Sequence, residues 1–310
     1  MNSPCLSKAL RSAFFVLGAS ALSSGAFAAG LVFNPTFVGF SADQQATIQD
    51  ALNDISGRYT DNVTVNLKFT NVNSGLGGSS QSLFGFTYGA FKSLLAADAK
   101  SALDNTAVAS LPGGNPFGAR GVALTRAQIR ALGQSIGSDG NGFDCYISLN
   151  ASLCFTRSQG AQVGKYDLHA VAQHEIDESM GIGGPASLIG SGFINTFVGA
   201  ADLFRYSAAG VRTNLNSNSV GNYLSYDNGV TKVRDYNNGL FGGDYADWAS
   251  DANPHVQDAF GTSGQLINYS NEEVMAGDGI GWDVKSVPEP TTMGLLGLGA
   301  IAAYRRRKKA

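Results

Sequence analysis

The chain has 310 residues, of which 15% are charged and 44% hydrophobic, a balance that excludes a long disordered polyampholyte. Its 40 glycines are about twice the usual share and imply many tight turns, but no Gly-X-Y period runs through them, so the chain is not a collagen. A formal net charge of −3 argues against the broad basic face on which nucleic-acid binding depends.

Residues 1–28 read as a secretory signal. Lys8 and Arg11 form a short cationic start, an apolar run begins at Ala13, and Ala26-Phe27-Ala28 is a small-x-small cleavage site for signal peptidase. In the body that follows, Ser41 and Gln44 have capping-box spacing ahead of a helix carrying Ala46, Ile48, Leu52 and Ile55, with Gly57 as its stop. Asn62–Thr70 alternates apolar and polar residues and predicts a half-buried strand. Asn71–Ser80 is rich in Gly, Ser and Asn and predicts a loop. A second strand is expected over Leu83–Tyr88, then helices over Phe91–Leu103 and Thr125–Ile136, a strand over Phe143–Leu149 and a helix over Asp167–Met180. Past Gly181 the chain is loop-rich, with short strands expected near Asp202–Tyr206, Tyr223–Tyr226 and Val230–Tyr236 and a last helical turn opening at Glu272. No repeat and no strong linker divides residues 29–286, which points to one α+β body with an irregular, loop-rich C-terminal subdomain. Cys145 and Cys154 are the cysteines left after the signal, and in an oxidising compartment they are expected to form a disulfide.

Residues 287–310 are a third segment. Val287-Pro288-Glu289-Pro290 leads into an apolar stretch, Thr291 to Tyr304, and then into Arg305-Arg306-Arg307-Lys308-Lys309. The stretch is shorter than the roughly 20 residues of a full membrane helix, and the basic cluster would stay on the cytoplasmic side. Together these features resemble the PEP-CTERM sorting tail of Gram-negative bacteria. The resemblance implies export, recognition of the Pro288-Glu289-Pro290 motif by an exosortase, a transient tether in the inner membrane by a transmembrane tail, and a final place at the cell surface or outside the cell. With the two cations of the signal and the five cations and single carboxylate of the tail set aside, the body holds 14 basic and 23 acidic residues, a net charge of −9.

The chemistry concentrates in the helix over Asp167–Met180. Asp167 suits its N-terminus and Gly181 its left-handed C-terminus. His174 and Glu178 lie four residues apart, hence on one face about one turn from each other, and Glu175 stands beside them. Two ligands on successive turns suit zinc, and a Glu next to the first ligand is where a general base would reach an attacking water. The stretch His174-Glu175-Ile176-Asp177-Glu178-Ser179-Met180-Gly181-Ile182-Gly183-Gly184 resembles the active helix of metzincin-type zinc metallopeptidases, H-E-x-x-H-x-x-G-x-x-H. The first His, the Glu and the turn Gly coincide, whereas Glu178 and Gly184 stand where the family has its second and third His. The variant His-Glu-Ile-x-Glu-x-Met-Gly also resembles PEP-CTERM-tailed proteins described as metalloproteases, as do Asp202–Tyr206 and Gly279–Asp283.

The resemblance implies a metzincin-like twisted sheet, one zinc ion held by His174 and Glu178, Glu175 as catalytic base, and a peptide or protein substrate. Gly184 has no ligand atom, so the third ligand must come from elsewhere. His169 is five residues before His174 and faces another way, which suits a structural role. His255, on a loop, is the first choice and Asp202 the second. Asp244, Asp247, Asp251 and Asp258 lack calcium-loop spacing and are expected to cap turns and face water. The alternative function is a non-catalytic surface component with a degenerate peptidase fold, for which an extracellular polysaccharide matrix is a compatible partner.

Overall fold

β1 (Val32–Val38) and β2 (Thr64–Asn71) pair in parallel, with α1 (Ala42–Ser56) as the crossover between them. The computed structural model describes residues 30–285 except Gly192 and residues 214–220, so the expected signal and the sorting tail lie outside the described residues. The helix crossover follows from sequence. The Ser41–Gln44 capping box is formed in both directions, and Ile48, Ala51, Leu52 and Ile55 make one buried stripe on α1. β3 (Gly77–Gln81) and β6 (Cys145–Leu149) complete this sheet in the order β1-β2-β6-β3, with β6 parallel to β2 and β3 antiparallel to β6.

A second sheet has the order β4-β5-β9, from β4 (Leu83–Phe86), β5 (Gly121–Thr125) and β9 (Phe197–Gly199). Between β4 and β5 lie α2 (Tyr88–Asp98) and α3 (Ala102–Ser110), and α4 (Arg126–Ala131) follows β5. β7 (Cys154–Phe155) and β8 (Tyr166–Asp167) form a short parallel pair that delivers the chain into α5 (Leu168–Met180). The loop-rich C-terminal part contributes a small sheet, β11-β10-β12-β13, from β10 (Arg205–Ala208), β11 (Val211–Arg212), β12 (Tyr223–Leu224) and β13 (Arg234–Asp235). It ends in α6 (Asn271–Asp278). The fold is α+β. Leu168, Ala172, Ile176 and Met180 of α5 are buried in the core, and Trp282 donates to the Met180 carbonyl at 2.9 Å, tying the end of the body to the end of α5. Among the described residues no helix is long and apolar enough to cross a membrane.

Four expectations change. The Gly/Ser stretch expected as loop over Asn71–Ser80 contains β3, an edge strand whose pairing with β6 outweighs its weak intrinsic strand preference. The single helix expected over Phe91–Leu103 is two. α2 starts at Tyr88 on the Thr87 cap, and a fresh capping box at Ser101 and Asp104 starts α3. β1 has no counterpart in the expected elements. It contains Pro35, which is tolerated because β1 is an edge strand.

The disulfide is not formed: Cys145 and Cys154 are both free and buried. Cys145 opens β6, whose five residues carry the chain about 13 Å away along the sheet. Its thiol donates to Gln81 Oε1 at 2.9 Å, whereas Cys154 donates to the Asn150 carbonyl at 3.5 Å. Alkylation after unfolding without reductant should therefore label both thiols by mass, and reductant should leave the melting temperature unchanged.

One buried ion pair joins α4 to the first sheet. Arg130 grips both oxygens of Asp144 at 2.7 and 2.8 Å, and Asp144 also accepts from the Asn66 amide. Burial alone would raise the Asp144 pKa, but these donors bring it below the usual carboxylate value. A pKa lower in the folded chain means that the pair stabilises fully above the ordinary carboxylate range and that this contribution is lost as pH falls through the folded value. Asp144→Ala should cost about 3 kcal/mol near neutral pH, because it strands the Arg130 charge. The difference from wild type should narrow in melts taken toward pH 3.

Candidate metal centre

α5 is held at both ends by the groups its sequence supplies. The Asp167 carboxylate accepts from the His169 amide at 3.1 Å, and Gly181 closes the helix at φ 85°, where a side chain would be strained. His174, Glu175 and Glu178 then face a cleft of about 300 Å³ between α5, the edge strand β3 and the loops 243–247 and 255–262.

His174 Nδ1 lies 3.0 Å from the Val256 carbonyl, which can only accept, so this nitrogen carries the proton. Nε2 faces Glu178 Oε1 at 3.8 Å and Asp247 Oδ2 at 3.7 Å, with Gln257 Nε2 at 3.4 Å. One donor atom from each of His174, Glu178 and Asp247 lies within 4.8 Å of the other two. Around tetrahedral zinc, ligand atoms at about 2.1 Å stand about 3.4 Å apart, so His174 Nε2 is within a few tenths of an ångström of that spacing from each carboxylate, and the carboxylates themselves are no more than 4.8 Å apart.

The carboxylates are positioned by their neighbours. Glu178 Oε2 accepts from Ser79 Oγ on β3. Asp247 Oδ1 accepts from the Gly184 amide and from Gln257 Nε2, both at 3.0 Å. Glu175 is 5% exposed, and its Oε2 has no hydrogen-bond partner. Three glycines make room for this packing. A Cβ on Gly77 would overlap Glu175 Oε1, one on Gly184 would overlap Glu178 Oε1, and one on Gly183 would press on the Gln257 amide.

Burial is the largest influence on each ionisable group here. It raises Glu175 and Glu178 and pushes Asp247 up to about 7, with His174 opposing it in all three. For His174 burial acts downward, but Asp247, Glu175 and Glu178 together outweigh it and lift the imidazole to about 10. Without a metal, one imidazolium is the counter-charge for three crowded carboxyls. A divalent cation would replace it with twice the charge.

His255, expected as a third ligand, is not among the three converging donors. His255 lines the same cleft, but its Nδ1 bonds the Asn253 carbonyl at 2.7 Å and its Nε2 faces Glu272 at 3.8 Å. Asp202, the second choice, is fully buried away from the cleft. It accepts from Ser187 Oγ and from the amides of Leu188 and Gly199, bracing the loop before β9. His169 is buried, and its Nδ1 meets Arg157 at 3.2 Å. The residue missed in sequence is Asp247, expected to face water and found 3% exposed. Its local signal is an acidic residue set between Ala246 and Trp248, both buried.

No curated protein and no solved structure matches the chain. A family model of the PEP-CTERM protein-sorting motif matches residues 286–308, so the chain carries the sorting signal of an exported protein handled by an exosortase-type system.

Proposed function

We propose that the exported body is a zinc-dependent peptidase of metzincin-like type in which His174, Glu178 and Asp247 hold the metal and Glu175 is the general base. Asp247 takes the place first assigned to His255. The observation that carries the reading is the convergence of the three donor atoms within 4.8 Å, with the imidazole already turned by its bond to Val256. One nitrogen and two carboxylate oxygens give a charge of −2 against a divalent ion and leave a fourth position open, as catalytic zinc sites do.

Bound there, zinc would polarise a peptide carbonyl and ease deprotonation of a water. Glu175 would accept the proton of the attacking water on its carboxylate and return it to the leaving amine. Ser79 holds Glu178 and Gln257 holds Asp247, so both carboxylates keep their orientation as charge redistributes. β3 is an edge strand lining the cleft through Gly77, Gly78 and Ser79, and an extended substrate can add to its free edge.

The test is zinc content and affinity of the full chain with Asp247→Asn and His255→Ala beside wild type. Wild type should bind one equivalent of zinc, Asp247→Asn should lose affinity at least about 100-fold, and His255→Ala should bind normally. Equal zinc binding by wild type and Asp247→Asn sinks the ligand set. The second reading, a non-catalytic surface protein, is favoured by the presence of only one imidazole in the group. Zinc binding with no cleavage of any peptide would select it. For location, the proposal is transient tethering in the inner membrane followed by release to the cell surface or beyond.

A further inference from the structure

His174 and Glu178 stand on α5, whereas Asp247 stands on a loop held by isolated bridges, Trp248 with Tyr236 and Trp248 with Asp258. A side chain of α6 fixes that loop. Glu273 Oε2 accepts from the Ser270 amide at 2.9 Å and from the Ser270 hydroxyl, within the capping box that starts α6. Glu273 Oε1 points the other way. It accepts from Trp248 Nε1 at 3.3 Å and from the Gln257 amide at 3.2 Å. The cap occupies one oxygen, and the other joins two segments of the loop region beside α5.

Both of those segments touch the metal centre. Trp248 follows Asp247, and its amide donates to the Gln257 carbonyl at 2.8 Å. Gln257 Nε2 donates to Asp247 Oδ1 at 3.0 Å and lies 3.4 Å from His174 Nε2. Val256, the residue before Gln257, supplies the carbonyl that turns the His174 ring. Trp248, Gln257 and Glu273 are each no more than 1% exposed, so water does not replace an acceptor lost here. A buried N–H without its acceptor is costly, and the indole and the amide are therefore held to the carboxylate.

We infer that Glu273 is a positioning residue for the metal centre, setting through Trp248 and Gln257 where Asp247 and the Val256 carbonyl stand against His174. The inference rests on the proposed ligand set for its metal readout, and on the bond between His174 and Val256 for a second readout that needs no metal. Two substitutions probe it. Glu273→Gln is nearly isosteric and can still serve the capping box. With its oxygen on Ser270, it turns an amide N–H₂ against the N–H groups of Trp248 and Gln257. Glu273→Leu removes both acceptors whatever its rotamer. Ser270→Ala is the control: it weakens the cap and leaves both contacts of Oε1 in place.

The full chain is compared in mild detergent. In chelator competition the zinc affinity of both Glu273 variants should fall about tenfold or more, as when a group orienting a ligand is removed, while Ser270→Ala stays within about twofold of wild type. Ser270→Ala should still melt at a lower temperature, because its cap is lost. The second readout is nuclear magnetic resonance of metal-free protein with isotope-labelled histidine. The chain has three histidines, so the His174 Nδ1–H signal is identified by its absence in His174→Ala. That signal should persist in wild type and Ser270→Ala and be lost to exchange with water in both Glu273 variants. Wild-type zinc affinity and an unchanged His174 signal in both Glu273 variants overturn the inference. So does an equal loss of affinity in Ser270→Ala, which would make Glu273 a helix cap and nothing more. If wild type takes up no zinc, the ligand set fails, and the His174 signal alone decides the role of Glu273.

Discussion

Glu175→Gln is expected to abolish peptide hydrolysis, by about three orders of magnitude in kcat, with zinc content unchanged. The amide is nearly isosteric and fits the space that Gly77 leaves, but it has no basic oxygen for a proton. Glu175 Oε2 is the one carboxylate atom of the group that is buried without any hydrogen-bond partner, a costly arrangement unless the atom has a task. Glu178 and Asp247 are each already bonded to a neighbour, so neither is free to replace it. The decisive comparison is kcat on a casein-derived peptide with metal analysis of the same sample. Cleavage at the wild-type rate would assign the base elsewhere, and loss of zinc together with activity would make Glu175 a ligand.

Gly184→His, which would put a histidine where the metzincin pattern has its third, is expected to damage the centre. In the metzincin pattern that position supplies a ligand, yet here any Cβ on residue 184 would overlap the Glu178 carboxylate, and Asp247 already accepts from the residue's backbone amide. The imidazole cannot enter without displacing Glu178. Zinc affinity should fall about 10- to 100-fold, as when groups orienting a ligand are removed. The overpacking should cost about 1–3 kcal/mol of stability, read as a lower melting temperature. Gly184→Ala should give most of the same loss, because the clash begins at Cβ. Tighter zinc binding by Gly184→His would mean that the glycine is a vacancy in a three-histidine site and that Asp247 is not the ligand.

The pattern of losses separates local from distant design. α1 and α5 were readable because their information is local. Ser41 with Gln44, and Asp167 with Gly181, mark the ends by capping chemistry, and apolar spacing marks the buried face. The split between α2 and α3 was missed because a run of helix-favouring residues hid the second cap at Ser101. β3 was missed because Gly77-Gly78-Ser79-Ser80 has almost no strand preference, and its state comes from pairing with β6 more than 60 residues later. The cysteines show the same limit: nine residues apart in sequence, they are separated by the length of an extended strand.

By itself, the sequence determined the C-terminal sorting segment, the α+β class, and the face of one helix that puts His174, Glu175 and Glu178 together, because each depends on short-range order along the chain. The match over residues 286–308 rests on the same kind of local signal. Only the tertiary structure decided that Asp247 stands opposite His174, that His255 and Asp202 do not, and that three glycines are needed for the carboxylates to fit. Apart from Gly184 and Glu178, six residues apart, those facts depend on where segments 73 or more residues apart are carried by the packed core, and no spacing along the chain encodes them.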